Sequence, residues 1–428
     1  MFTKKTLHDI DLQGKRVLLR ADYNVPISDD GVITDDYRLQ QSLPTVKAIL
    51  EAGASLVICS HLGRPAGPGD PKTSLRPVAK RLSELLDQDV AFAPDCVGPE
   101  AEQLAYALQP GQVLLLENLR YHSEEEANDD GFASQLAKLA EVFVQDGFGV
   151  VHRAHASTDA VTHHLPAVAG LLLAREVDTI TNVMEAPERP LMAIIGGAKI
   201  ADKIEILNRL IEIADFIAVG GAMANTFLAA EGIEVGKSKY DKDELPLARD
   251  ILEKARARAK NERFVFYLPQ DGVVATSLDK TAHVRIVDWD AHVIAQLENY
   301  PKVAAKASGV VADTEMILDI GPFSGAFIAG GMQLAKTLIW NGTMGVTEVP
   351  AVHGPVGPFS HGTDTIIEAA LGEFGQRPFS VVGGGDTVGY VQQRKLTDAF
   401  NHVSTGGGAS LELMSGKKLP GVEVLQDK

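Results

Sequence analysis

Two sets of residues in this chain of 428 residues have the chemistry to hold anions. The first lies before residue 160 and comprises Asp22, Asn24, Arg38, His61, Arg64, Arg120 and Arg153. Arginine forks match carboxylate and phosphate oxygens two at a time, so arginines gathered on one edge suit a small phosphorylated acid. The second set is rich in glycine: Gly196-Gly197-Ala198-Lys199, Gly220-Gly221, Asn341-Gly342, Gly383-Gly384-Gly385-Asp386-Thr387 and Ser404-Thr405-Gly406-Gly407-Gly408. Glycines let backbone N–H groups approach phosphate oxygens, and a helix starting there adds partial positive charge. Asp386 either holds a magnesium ion that bridges phosphates or simply caps its helix. Lys199 and Lys203 are four apart on one helical face and suit a transferring phosphoryl group.

Two named nucleotide motifs are absent. Gly232–Ser238 reads GIEVGKS, with three residues between glycines where a P-loop needs four, so it is expected to be a plain loop. Gly383–Gly389 misses the dinucleotide-binding spacing by one residue. His152, His155, His163 and His164 lack the cysteine or carboxylate that would complete a ligand set. The run Glu124–Glu126 with Asp129-Asp130 is expected to be a solvated loop.

The elements that must position these residues follow from hydrophobic patterning. Apolar runs at Arg16–Ala21, Ser55–Ser60, Gln112–Glu117 and Val142–Asp146 predict buried strands. Helical spacing at Tyr37–Ala52, Leu75–Leu86 and Phe132–Glu141 lies between them. This alternation predicts a parallel sheet covered by helices on both faces. A connector helix is expected at Gly170–Glu185, stopped by Pro187 and Pro190. A second set of strands follows at Leu191–Ile195, Phe216–Val219, Phe264–Leu268, Val284–Val287, Met316–Asp319, Thr337–Trp340 and Phe379–Val382. The expected class is α/β: two doubly wound parallel-sheet domains, 1–187 and 188–404, facing a cleft. Both anion-holding sets fall in loops after strands, where open parallel sheets bind ligands.

Bulk properties bound the partners. The formal net charge is −17, which argues against nucleic acid and anionic membranes. The chain is 45% hydrophobic and 23% charged, ordinary for a globular protein. The two cysteines, Cys59 and Cys96, fit a reducing compartment. No apolar run approaches the roughly 18 residues of a membrane span, and the first residues do not read as a signal peptide. A cytoplasmic location is expected.

These residues, in order, resemble the phosphoglycerate kinase family over nearly the whole chain. The resemblance is carried by Arg20-Ala21-Asp22-Tyr23-Asn24-Val25-Pro26, Ser60-His61-Leu62-Gly63-Arg64-Pro65, Leu116-Glu117-Asn118-Leu119-Arg120-Tyr121 and His152-Arg153-Ala154-His155-Ala156-Ser157. It continues through Gly196–Lys203, Trp340-Asn341-Gly342, Gly383–Thr387, Ser404–Gly408 and Leu419-Pro420-Gly421-Val422-Glu423. It implies a monomeric two-domain hinge enzyme of glycolysis that moves phosphate from 1,3-bisphosphoglycerate to MgADP. It further implies that Asp22, Asn24, Arg38, His61, Arg64, Arg120 and Arg153 hold phosphoglycerate. Nucleotide would be held by Gly197, Ala198, Lys203, Gly221, Asn341, Glu348, Gly384, Gly385, Asp386 and Thr387, with Asp386 on Mg2+. Arg38, Lys199, Lys203, Gly384 and Gly407 would be catalytic. The segment 405–428 would return to the first domain. In-line transfer from an acyl phosphate needs no general base, so positioning and cationic stabilisation carry the catalysis. Substrates on separate domains would be joined by closure, which also excludes water.

Thr343 stands where the family usually has proline, Thr347 where an aromatic precedes Glu348, and Gln270 where an apolar residue is usual. Asp159 replaces a small apolar residue, and the loop Val349–Gly362 is longer than usual. These departures leave ADP or GDP open as acceptor. A catalytically silent binding relative and a dehydrogenase on a doubly wound fold are the competing readings. Retention of Arg38, Lys199, Lys203 and Asp386 speaks against the first, and the missing dinucleotide spacing against the second.

Overall fold

The computed structural model describes residues 2–67, 69–289 and 309–428, with the backbone of 294–295. They form two compact units, Met1–Thr179 with Lys417–Lys428, and Ile180–Gly416.

Unit 1 is built on six strands: β1 Arg16–Arg20, β2 Ser55–Cys59, β3 Val90–Ala93, β4 Val113–Leu116, β5 Val142–Gln145 and β6 Ala167–Ala169. Their order is β3-β4-β2-β1-β5-β6, and every pairing is parallel. Strands β2, β4 and β5 are buried along their whole length, as a sheet covered on both faces requires. Helix Tyr37–Glu51 buries Leu39, Val46 and Ile49 against this sheet's core. It ends before Gly53, whose φ of +77° is a left-handed value that glycine adopts without strain. Asp129 caps the helix Asp130–Ala137 by accepting from Phe132 N at 2.7 Å, so this helix starts and stops earlier than its apolar spacing suggests. β3 and β6 have no counterpart in the sequence reading. They are the two edge strands of the sheet; β3 is buried only at Ala93, and β6 is three residues long.

Unit 2 contains β7 Leu191–Ile195, β8 Phe216–Val219, β9 Val265–Tyr267, β10 Asp271–Ala275, β11 Val284–Asp288, β12 Ile294–Ala295, β13 Met316–Ile320, β14 Thr337–Asn341, β15 Phe379–Gly383 and β16 His402–Val403. Seven of these form a sheet ordered β12-β9-β8-β7-β14-β15-β16, parallel except at β12. The runs at 284–287 and 316–319 correct the expectation of one parallel sheet. They pair antiparallel with β10 in a separate sheet, β11-β10-β13. Only three residues separate β9 from β10, far short of the dozen or so a parallel crossover needs, so β10 cannot continue the parallel order and instead pairs in the separate sheet.

The division between units falls inside helix Leu171–Glu185, where 187/188 was expected from the prolines. The first turn of this helix is tied to unit 1. Leu171 N donates to Thr45 Oγ1 at 3.0 Å, and Leu172 N to the buried Asp146 carboxylate at 3.0 Å. The terminal segment joins unit 1 from Lys417 instead of 405, because helix Gly407–Met414 packs on β15 of unit 2. In unit 1, Gly421 N donates to Val151 O at 2.9 Å, and Gln426 N to Ala167 O at 3.1 Å. A Cβ on Gly421 would come within 3.1 Å of Val151.

Candidate active site

The polar set of unit 1 sits beyond the carboxyl ends of β1, β2, β4 and β5. Asp22 is the connecting acceptor. Its carboxylate takes a hydrogen bond from Arg38 Nη1 and lies 3.8 Å from His61 Nδ1. Burial alone would raise the Asp22 pKa, but the positive field of Arg38 and Arg20 outweighs it and holds the group ionised. His61 is 4% exposed, and burial lowers its pKa to about 3 against the pull of Asp22. The ring is therefore neutral at neutral pH, and its proximity to Asp22 is not an ion pair. Arg20 Nη2 lies 3.3 Å from His61 Nδ1. A guanidinium can only donate, so Nδ1 is the acceptor and the ring proton sits on Nε2.

The loops are stapled to one another. Asn24 Oδ1 accepts from Gly63 N at 2.8 Å. Arg120 Nη1 donates to Gly63 O at 2.8 Å, and Arg120 Nε pairs with Glu126 at 3.0 Å. Asn118 is fully buried and donates to Leu62 O and Thr73 O while accepting from Leu62 N and Arg120 N. Arg64 and Arg153 are exposed; Arg153 Nε donates to His152 Nε2 at 3.2 Å.

Within the acidic run, Glu125 corrects the expectation of a solvated loop, while Glu124, Glu126, Asp129 and Asp130 are exposed. Residues Ser123–Glu126 form a short helix, and Glu125 is 1% exposed. Its carboxylate accepts from Ser157 N at 2.9 Å and Ser157 Oγ at 2.6 Å, and Arg20 Nε donates to the same Ser157 Oγ at 2.8 Å. Arg20, Ser157 and Glu125 thus form a buried scaffold behind His61. Sequence reasoning missed it, although an arginine closing the otherwise apolar run Val17–Leu19 was the available signal.

In unit 2 the loops after β7, β8 and β14 pack backbone on backbone, and the loop after β15 meets them through the side chains of Asn341 and Thr387. Gly196 N donates to Asn341 O at 2.9 Å, Gly221 N to Met344 O at 3.0 Å, and Met223 N to Gly197 O at 2.8 Å. Gly342 has φ +108°, and a Cβ there would lie 2.2 Å from the Gly196 carbonyl, so no other residue fits. Lys203 reaches under this arrangement, with Nζ on the side chain and carbonyl of Asn341. Burial lowers its pKa to about 8, against the opposing pull of Asp386 and Asp202. Asn341 is fully buried, and its Nδ2 makes no hydrogen bond.

A cavity of about 480 Å³ opens beside these loops. Gly197, Ala198, Gly221, Glu348 and Asp386 line it, as do Trp289, Asn225 and Leu228, which sequence reasoning did not single out. Asp386 is an exposed carboxylate in the first turn of helix Gly385–Gln393. Thr387 does not reach the cavity: it is buried, and its hydroxyl accepts from Gly342 N at 2.6 Å. Lys199 is largely exposed, with Nζ 4.0 Å from Asp241. Gly407 opens helix Gly407–Met414. The long loop after Glu348 is anchored by Val349 and Phe359 on Leu318 and Ala275, and Asp319 accepts from Gly362 N at 2.8 Å.

The profile of the family described as phosphoglycerate kinase matches residues 7–417. The chain belongs to the phosphoglycerate kinase family. Its members are phosphotransferases with a carboxyl group as acceptor. A phosphoglycerate kinase of Moorella thermoacetica is 45% identical over 425 residues, covering 99% of this chain and 100% of the relative. One of Chloroflexus aurantiacus is 45% identical over 426 residues, covering 99% of both. The solved phosphoglycerate kinase of Coxiella burnetii superposes with a TM-score of 0.80 at 35% identity, covering 98% of both chains. That of Pyrococcus horikoshii OT3 gives 0.81 at 28% identity, covering 99% of this chain and 98% of the other. No helix among the described residues is long and apolar enough to cross a membrane.

Proposed function

We propose that this enzyme transfers the acyl phosphate of 1,3-bisphosphoglycerate to ADP, reversibly, giving 3-phosphoglycerate and ATP as a step of glycolysis. The observation that carries this reading is the loop cluster of unit 1, where Asp22, His61, Arg38, Arg120 and Gly63 are tied into one frame. In this reading Asp22, Asn24, Arg38, His61, Arg64, Arg120 and Arg153 hold phosphoglycerate. Asp22 keeps Arg38 in place, and Arg20 fixes the tautomer in which neutral His61 donates from Nε2. The nucleotide is held by Gly197, Ala198, Lys203, Gly221, Asn341, Glu348 and Gly384–Asp386, with Thr387 supporting the Asn341–Gly342 turn.

The exposed oxygen pair of Asp386 fits Mg2+, a hard cation that keeps several waters and takes one or two carboxylates with the phosphates. Such an ion neutralises phosphate charge when bound. The departing 3-phosphoglycerate carboxylate needs no proton, so Arg38 and Lys199 act as cations and not as acids. Gly384 and Gly407 let backbone N–H groups approach the phosphates. The enzyme acts as a single chain in the cytoplasm.

A coupled steady-state assay tests the reading, run with ADP and with GDP, with and without Mg2+. We expect Mg2+-dependent ATP formation from 1,3-bisphosphoglycerate, with ADP preferred. No turnover with either nucleotide would overturn the catalytic reading, and a higher kcat/KM for GDP would overturn the choice of acceptor.

A further inference from the structure

A side-chain cluster apart from both anion-holding sets lies at the β3 edge of unit 1. Asp95 and Cys96 follow β3, and His122 follows the Leu119–Tyr121 turn after β4. Because β3 and β4 are parallel neighbours, both loops emerge at the same sheet edge. His122 Nε2 and Asp95 Oδ1 are 2.6 Å apart, and Cys96 N donates to the same oxygen at 2.6 Å. One ligand atom from each of Asp95, Cys96 and His122 lies within 4.8 Å of the others. The histidines weighed from sequence take no part. Among the described residues this is the one such group.

We propose that Asp95, Cys96 and His122 form a binding site for a borderline divalent cation of the Zn2+ kind, separate from any nucleotide-bound magnesium. A thiolate, an imidazole and a carboxylate are a donor set that zinc accepts and magnesium does not. Zinc bonds of about 2.0–2.3 Å place tetrahedral ligands roughly 3.3–3.6 Å apart. The Asp95–His122 pair, at 2.6 Å, therefore opens slightly, and the Cys96 sulfur, within 4.8 Å of both, closes by up to about 1 Å. Asp95 can supply that movement, since its side chain is 52% exposed. The same exposure gives the ion an entry path from solvent to Cys96, which is itself fully buried. The His122 ring packs 5.2 Å from Phe132, which holds its plane. On binding, the Cys96 thiol proton leaves to solvent, and the proton on His122 Nε2 is replaced by one on Nδ1. Three protein ligands leave a position for water. The ion would cross-link two loops, one of which carries Arg120 two residues before His122.

Co2+ is the optical probe and ZnCl2 the competitor, on the untagged full chain with millimolar Mg2+ present. We expect one Co2+ per chain with a thiolate-to-cobalt charge-transfer band, displaced by one equivalent of Zn2+. We expect affinity to rise with pH, because the thiol proton is released. Zn2+ at about 100 times its Kd raises Tm by several degrees. Cys96→Ser removes the band, and His122→Gln weakens binding at least tenfold. Cys96 is buried and its substitution threatens the fold, so His122→Gln, at a side chain 27% exposed, carries the decision independently. Absence of the band at stoichiometric Co2+ overturns the site. So does an unchanged affinity in His122→Gln, or a band that survives Cys96→Ser and therefore belongs to Cys59.

Discussion

Unit 1 and unit 2 present opposite solutions at their strand ends. In unit 1 side chains make the frame: Asp22 holds Arg38, Asn24 and Asn118 staple loop backbone, and Glu125 holds Ser157 behind Arg20. In unit 2 the backbone makes the frame, and glycines let the loops after β7, β8 and β14 touch without side chains between them. Charge is also distributed differently. Arg38 is paired to Asp22 and 30% exposed, whereas Lys199 is 56% exposed and 4.0 Å from Asp241. A preset cation costs little to organise at the moment of reaction, while an exposed lysine must be ordered by its ligand. The unit 1 site is thus preformed by electrostatics and the unit 2 site by shape.

The largest expected effect tests whether this difference matters to catalysis. Arg38→Ala and Lys199→Ala should each lower kcat by about 100-fold or more, roughly 3 kcal/mol of transition-state stabilisation. Near-normal turnover in either variant removes that residue from the charge-stabilising pair. Lys199→Arg should recover more activity than Arg38→Lys, because only Arg38 is held in a fixed pairing.

Next in size is a test of shape. Gly384 has φ +87°, and a Cβ there would lie 2.9 Å from Asn341 Oδ1. Gly384→Ala should raise the nucleotide KM about tenfold and leave the phosphoglycerate KM within twofold. Equal changes in both constants would contradict two separately framed sites.

The smallest effect is a pH limb. Lys203 has its pKa lowered to about 8, so its cationic fraction falls as pH rises through 8. The kcat/KM for nucleotide should decline above pH about 8, by up to tenfold per unit. Lys203→Arg should keep its charge and lose that limb. The His61 ring should contribute no limb between pH 5 and 8, because it is already neutral there. A profile flat to pH 10 would show that Lys203 is not required as a cation.

The polar positions of unit 1 were largely legible because chemistry-bearing residues recur after apolar runs, and parallel strands place such residues on one edge. Arg20 and Glu125 were not. Arg20 reads as strand and Glu125 as one of three adjacent glutamates, and only packing distinguishes the glutamate that Ser157 and Arg20 enclose. Thr387 illustrates the opposite error: its neighbour Asp386 lines the cavity, but helix geometry turns the Thr387 hydroxyl inward to Gly342. The antiparallel sheet was missed because a strand run carries no sign of its partner. That sheet's central strand, β10, was not read from the sequence at all.

By itself the sequence determined which residue types follow which strands, and thereby the α/β class, the family and the two anion-holding sets. Local patterning carries that information because burial and turn chemistry act over a few residues. Tertiary structure alone decided which carboxylate is buried, which tautomer His61 adopts, where Lys203 ends and which cysteine meets a histidine. Those depend on contacts between residues far apart in the chain, such as Glu125 with Ser157 or Lys203 with Asn341, and no local pattern encodes them.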